Sequence, residues 1–160
     1  QAYSHLRFFA PIVPPAWNAH PQIPTYLIIS LISFKSAGIL PFKIAEISNI
    51  KRSINETITA YAYQHNDPRY PNATLPLLKD NLTIIGINDG VLITNSLKDT
   101  ICNAFLGGSV VAQNIGSDSS EIVGLLSGTP PYSVPQRRLP IYVVDLYNFT
   151  DWIIYNSKDN

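Results

Sequence analysis

The sequence predicts an all-β domain closed by a single short helix. Three observations carry that expectation. Short β-branched and apolar runs recur along the chain with turn residues between them, prolines crowd the front, and the one good helical segment stands at the end. Strands at this spacing belong to an antiparallel barrel or a sandwich.

Taken in order, Pro11, Pro14, Pro15, Pro21 and Pro24, followed by Pro41, fix φ and remove backbone donors, so the front is expected to be irregular. Tyr26–Phe34, β-branched and apolar, is the first expected strand. Thr57–Tyr63, Leu82–Ile87, Gly90–Thr94, Gly108–Ala112, Glu121–Ser127 and Ile141–Leu146 follow, which makes seven. Asp67-Pro68-Arg69-Tyr70-Pro71-Asn72 and Gly128-Thr129-Pro130-Pro131 are loops by composition. The terminal helix has Asn148 as its N-cap, Asp151 in its first turn, and then Trp152, Ile153 and Tyr155.

The chain has 160 residues, 46% hydrophobic and 14% charged, enough to bury a core in one domain. Formal charge is zero and only Lys51-Arg52 and Arg137-Arg138 are adjacent cations, so no basic stripe tracks a phosphate backbone and no nucleic-acid partner is expected. The longest apolar run, around Tyr26–Ile32, is interrupted by Ser30 and bounded by Pro24 and Lys35, well short of the roughly 18 to 20 residues of a membrane span. No signal-peptide pattern opens the chain and it contains no methionine, so the expectation is that a front segment has been removed.

Four N-glycosylation sequons are present at Asn55, Asn72, Asn81 and Asn148, each ending in threonine. Thirteen asparagines among 23 serines and threonines would give about two by chance, so the excess points to a secreted, extracellular glycoprotein. Cys102 is the single cysteine. It is therefore either a buried inert thiol or one half of an interchain disulfide, and a cysteine metal site is excluded.

Catalytic options are few. Nucleophilic hydrolysis needs a nucleophile beside a base, and His5, His20 and His65 lie in polar or proline-rich surroundings with no Gly-x-Ser-x-Gly nearby. They read as surface loop histidines, with no zinc spacing among them. Asp67, Asp80, Asp89, Asp99 and Asp118 fall in expected loops and read as solvated turn aspartates. Gly107-Gly108 has no following lysine or helix, so it is a tight turn and not a phosphate cradle. No cofactor and no metal are expected.

Several segments, in order, nevertheless resemble the trypsin/chymotrypsin-like serine proteases. Pro140-Ile141-Tyr142-Val143 and Asp145–Ile153 resemble the family's closing strand and helix, PGVYTRVSNYVDWI, and Glu121–Gly128 resembles its LVGIVSWG strand. Cys102-Asn103-Ala104-Phe105-Leu106-Gly107-Gly108-Ser109-Val110-Val111 aligns without a gap on the family's C-x-G-D-S-G-G-P-L-V. Weaker matches run further back: Thr57–Tyr63 to the VSGWG strand, Ile39-Leu40-Pro41-Phe42 to the V-x-P-I between barrels, and Tyr26–Leu31 to NDIALLKL.

That resemblance implies an all-β, antiparallel double β-barrel of chymotrypsin-like type. This chain would give the end of the first barrel with its proline-rich start over 1–47, and the whole second barrel with the C-terminal helix over 48–160. It also implies that the chemistry is gone. Leu106 stands at the nucleophile position, Tyr26 at the acid position, Ala104 at the oxyanion position, and Phe105 where an aspartate pairs with the new N-terminus on activation. No TAAHC motif is present to supply the triad histidine, and leucine has no heteroatom to attack a carbonyl. The specificity pocket is degenerate as well: Thr100 lies six positions before Leu106, Gly128-Thr129 replace Trp-Gly, and Ile141 replaces a glycine that would leave the pocket open. The family's cysteine partner between Gly128 and Pro140 is absent too.

A double barrel takes roughly 200 residues or more. The expectation is therefore a cleaved precursor whose N-terminal chain, or another protein subunit, completes the first barrel. The function expected is that of a secreted, glycosylated pseudoprotease acting through protein binding. Two alternatives stand beside it, a structural or storage/carrier subunit of a larger extracellular assembly, and an active hydrolase with an unrecognised site.

Overall fold

The computed structural model describes residues 7–8, 34–35, 45–63, 76–96, 98, 101, 107–113, 119–128 and 139–157. Near the front, β1 (Arg7–Phe8) pairs antiparallel with β2 (Phe34–Lys35), with Phe8 opposite Phe34. Apart from Phe34, the expected strand Tyr26–Phe34 lies outside the described residues.

The body of the chain is one sheet rolled on itself. Its strands are β3 (Glu46–Ile47), β4 (Thr57–Tyr63), β5 (Leu77–Asn88), β6 (Val91–Ser96), β7 (Ser109–Gln113), β8 (Ser120–Gly128) and β9 (Ile141–Asp145). Six of them pair antiparallel in the order β8-β7-β4-β5-β6-β9, and β9 pairs back onto β8. This ring decides between barrel and sandwich in favour of the barrel. β3 adds to β8 outside the ring as a parallel strand, with Ile47 opposite Ile122.

Alternation explains the ring. In β4, Ile58, Ala60 and Ala62 point inward and are buried, while Thr57, Thr59, Tyr61 and Tyr63 point outward. Leu82 and Ile84 of β5, Leu92 of β6, Val110 of β7, Val123 and Leu126 of β8 and Ile141 and Val143 of β9 complete the interior, with Ile101 beside them. Each large aliphatic side chain buried here contributes about 1.5–3 kcal/mol relative to exposure. Register shifts at Ile84/Gly86, Val110/Val111 and Leu126/Gly128 bend the strands so that six can close around one core.

Closure also demands small residues where strands cross. A Cβ on Gly124 would lie 2.4 Å from Val143 Cγ1 and 2.6 Å from the Val144 carbonyl oxygen, so β8 and β9 meet only through glycine. Outside the barrel a second apolar cluster joins Val144, Leu146 and Ile153 to Ile122, Leu125, Phe149 and Trp152. It seats the helix α1 (Thr150–Ser157).

Two expectations are corrected. Asn148 is not the helix cap: a 3₁₀ turn, Leu146–Phe149, precedes α1, and Asp145 caps it by accepting the Tyr147 amide at 3.1 Å. The chain has already turned by the time it reaches Asn148, which lies exposed inside the turn. Asp80 is not a solvated turn aspartate. It lies within β5, 3% exposed, with Oδ2 accepting from Ser96 Oγ at 2.6 Å and from the Ile101 amide at 3.3 Å. Those donors replace the water that Oδ2 loses. Asp89 does occupy a turn: Asp89 (φ 45°) and Gly90 (φ 80°) are both left-handed, as the tight hairpin between β5 and β6 requires.

Candidate functional site

The Gly107-Gly108 pair opens β7 beside β8 and β4. Gly107 has φ 87°, a conformation that L side chains rarely adopt, and its amide donates to the Leu126 carbonyl at 2.7 Å. Gly108 is needed for a different reason. A Cβ there would lie 2.5 Å from the Tyr61 carbonyl oxygen and 2.7 Å from Ala62 Cβ. The Leu126 amide donates to the Gly108 carbonyl at 2.9 Å, so the turn is locked to β8 from both sides.

Across β8 and β9 sit the two expected pocket positions that are described. Ile141 is 1% exposed and belongs to the barrel core with Leu92 and Ile101; Thr94 Oγ1 donates to its carbonyl at 2.9 Å. Gly128 lies opposite Tyr142, whose ring Cδ2 is 3.1 Å from where a Cβ would be. Ser127 Oγ donates to the Tyr142 carbonyl at 3.3 Å. Leu106, Ala104, Phe105, Thr100, Thr129, Cys102 and Tyr26 lie outside the described residues, as do His5, His20, His65, Asp67, Asp99, Asp118 and Asn72.

The remaining sequons are at the surface. Asn55 is exposed with φ 70° just before β4, Asn81 is exposed in the middle of β5, and Asn148 is exposed beside the Asp89-Gly90 hairpin. Thr150, the third residue of the last sequon, donates its hydroxyl to the Leu146 carbonyl at 3.1 Å.

Sequence reasoning missed one polar cluster. Arg52, 7% exposed, donates from Nε to the Ile50 carbonyl at 3.0 Å, from one terminal nitrogen to Glu56 Oε1 at 2.7 Å, and from the other to Ser48 Oγ at 3.4 Å. Glu56 Oε2 accepts the Ser53 amide, so one guanidinium and one carboxylate fold the segment 48–56 onto itself. Asp145 lies within reach of this charge. Burial pushes its carboxyl above the ordinary value of 3.8, opposed by the Tyr147 amide and by the positive charges of Arg52 and Lys51, with Glu56 adding to the rise. The Arg52/Glu56 spacing of four was the only signal in the sequence. Asp145 is remote in the chain and gave none.

Among the described residues no group of three or more His, Cys, Asp or Glu is placed to hold a metal ion, and no helix is long and apolar enough to cross a membrane.

No family model matches the chain, and no curated protein matches it. Solved structures do. Neuropsin, a serine protease expressed in the limbic system of mouse brain, is similar with a TM-score of 0.69 at 17% identity, covering 96% of this chain and 72% of its own. The scabies mite inactivated protease paralogue S-I1 is similar with a TM-score of 0.62 at 14% identity, covering 94% of this chain and 68% of its own. At these identities the likeness concerns the fold: the closed barrel and its terminal helix match the second barrel of a chymotrypsin-like fold.

Proposed function

We propose that this chain is a secreted, glycosylated, non-catalytic homologue of the trypsin-like serine proteases that acts by binding other proteins. In this reading it is the C-terminal chain of a cleaved two-chain molecule, and the N-terminal chain or another subunit completes the first barrel. The observation that carries the proposal is Ile141, whose side chain is 1% exposed at a position where the resemblance puts a pocket-opening glycine. A substrate side chain would have to displace part of the core to enter there. Leu106 at the nucleophile position supports the same reading, since it offers no atom to attack a carbonyl. An inactivated paralogue among the similar structures is a precedent for keeping the fold without the chemistry.

Two measurements test this. A fluorophosphonate probe should leave the purified protein unlabelled; labelling of any serine would revive a hydrolase and end the pseudoprotease reading. Native mass spectrometry should find a second chain of roughly 70 residues or more held to this one, with release only on reduction if Cys102 makes the link. A lone chain at its formula mass would refute the two-chain arrangement.

One observation favours the second reading, a subunit of a larger extracellular assembly. Ile50, Ile154 and Tyr155 are 55%, 50% and 77% exposed, and side chains of this kind suit packing against neighbours. Sedimentation as a large assembly of identical chains would decide for it.

A further inference from the structure

Two of the sequons, separate in the sequence, come together in the barrel. Thr57 of the first is the cross-strand partner of Thr83 of the other, and Thr59 is the partner of Asn81. Asn55 is drawn to the same strand pair by its backbone: its amide donates to the Ile84 carbonyl at 2.8 Å. Inward-facing Ile58, Leu82 and Ile84 fix the other face of both strands in the core, so Thr57, Thr59, Asn81 and Thr83 all face outward. Asn55, bonded opposite Ile84, then lies three residues of strand rise from Asn81 along β5, roughly 10 Å.

The chemistry at both positions suits modification. Asn81 engages Thr59 Oγ1 through Oδ1 at 3.0 Å, so this bond uses the carbonyl oxygen and not the amide nitrogen that a sugar would take. Exposed apolar side chains stand near Asn55: Ile54 precedes it at 56% exposure and Ile85, next along β5 from Ile84, is 48% exposed. Exposed isoleucines beside a sequon asparagine are a surface that a sugar would cover.

We infer that Asn55 and Asn81 carry a pair of N-linked oligosaccharides that stand side by side on the outer face of β4–β5 and reserve that face for solvent. The inference rests on the glycoprotein reading above. In each transfer the sugar C1–O bond to a polyprenyl pyrophosphate donor breaks as C1 bonds to asparagine Nδ2. The lipid pyrophosphate leaves with the bonding pair, and the amide proton passes to a base on the transferase. Two branched sugars at this spacing occupy one volume above the sheet. A protein partner must then approach the barrel from another side.

The full chain secreted from a eukaryotic host supplies the test. Enzymatic deglycosylation in ¹⁸O-water, followed by peptide mass spectrometry, converts each occupied asparagine to labelled aspartate. Both Asn55 and Asn81 should be converted. If Asn72 or Asn148 is occupied while Asn55 or Asn81 is not, the pairing is overturned and the glycoprotein reading stands; if no sequon is occupied, both fall. The same sample reports the shielding. Lys79 faces outward on β5 opposite Tyr61, two residues from Asn81. Acylation of Lys79 by a bulky succinimidyl ester should rise severalfold when the sugars are removed, as a ratio to a lysine-containing reference peptide added to both samples. An unchanged ratio would overturn the reserved face even with both sites occupied.

Discussion

Ile141 turns a family comparison into a packing statement. Its side chain lies inside the barrel, so shortening it should leave a cavity and not an open pocket. Ile141→Ala is expected to cost about 2–5 kcal/mol, read as a lower denaturation midpoint with an unchanged slope, and to confer no hydrolytic activity. Asp145 gives a pH signature. Its carboxyl is pushed up by burial, so the folded chain holds that proton more tightly than the unfolded chain. The stabilisation is fully present below the ordinary carboxylate value and is lost as pH rises through the raised native value. Asp145→Asn keeps an acceptor for the Tyr147 amide and removes this titration. The variant should therefore gain stability relative to the parent as pH rises through that window, followed by thermal melts across acid to neutral pH. Asp80 shows why such residues escape a sequence reading. An aspartate amid Lys79 and Asn81 has the composition of a turn, and partners brought from elsewhere, among them the Ser96 hydroxyl and the Ile101 amide, hold it in the core.

Strands were legible where alternation was clean. Thr57–Tyr63 is bounded as expected because its small and β-branched residues alternate with outward Thr and Tyr without interruption. β5 extends beyond the expected Leu82–Ile87 because the polar run Lys79-Asp80-Asn81 lies inside it, and β3 has no sequence signature because two residues pairing parallel leave no pattern. The 3₁₀ turn was hidden by Asp145, which reads as the end of a strand until its side chain is seen capping Leu146–Phe149. At the candidate site, burial of Ile141 followed from its apolar character, whereas the Arg52 cluster could be found only in space. The paired glycines make a test of strand geometry. Gly107→Ala meets no atom within 4 Å but must hold φ 87°, and should cost about 1–2 kcal/mol. Gly108→Ala puts a methyl against the Tyr61 carbonyl and should cost about 3 kcal/mol or more, because rigid backbone must move. Urea denaturation of the two variants separates strain from collision. Equal losses would mean that β4 and β7 can part more easily than their spacing indicates.

The whole ring has an internal order. Consecutive strands β4-β5-β6 make one meander and β7-β8-β9 another, and the two meet along β4–β7 and β6–β9. Each meander buries only half of a shared interior, so neither has a complete core alone. The consequence is kinetic. Local hairpins can form early, but the two seams join segments distant in the chain, and their loop-closure cost comes before any reward. Refolding should be slow for a domain of this size, with the seams zipping last. Thr94→Val, which removes the hydroxyl bonded across the β6–β9 seam to Ile141, should accelerate unfolding in stopped-flow experiments while leaving the refolding rate nearly untouched. A slower refolding arm would place that seam in the nucleus instead. A barrel assembled this way exposes two sticky half-sheets in every refolding attempt, so its yield on dilution from denaturant should fall with protein concentration.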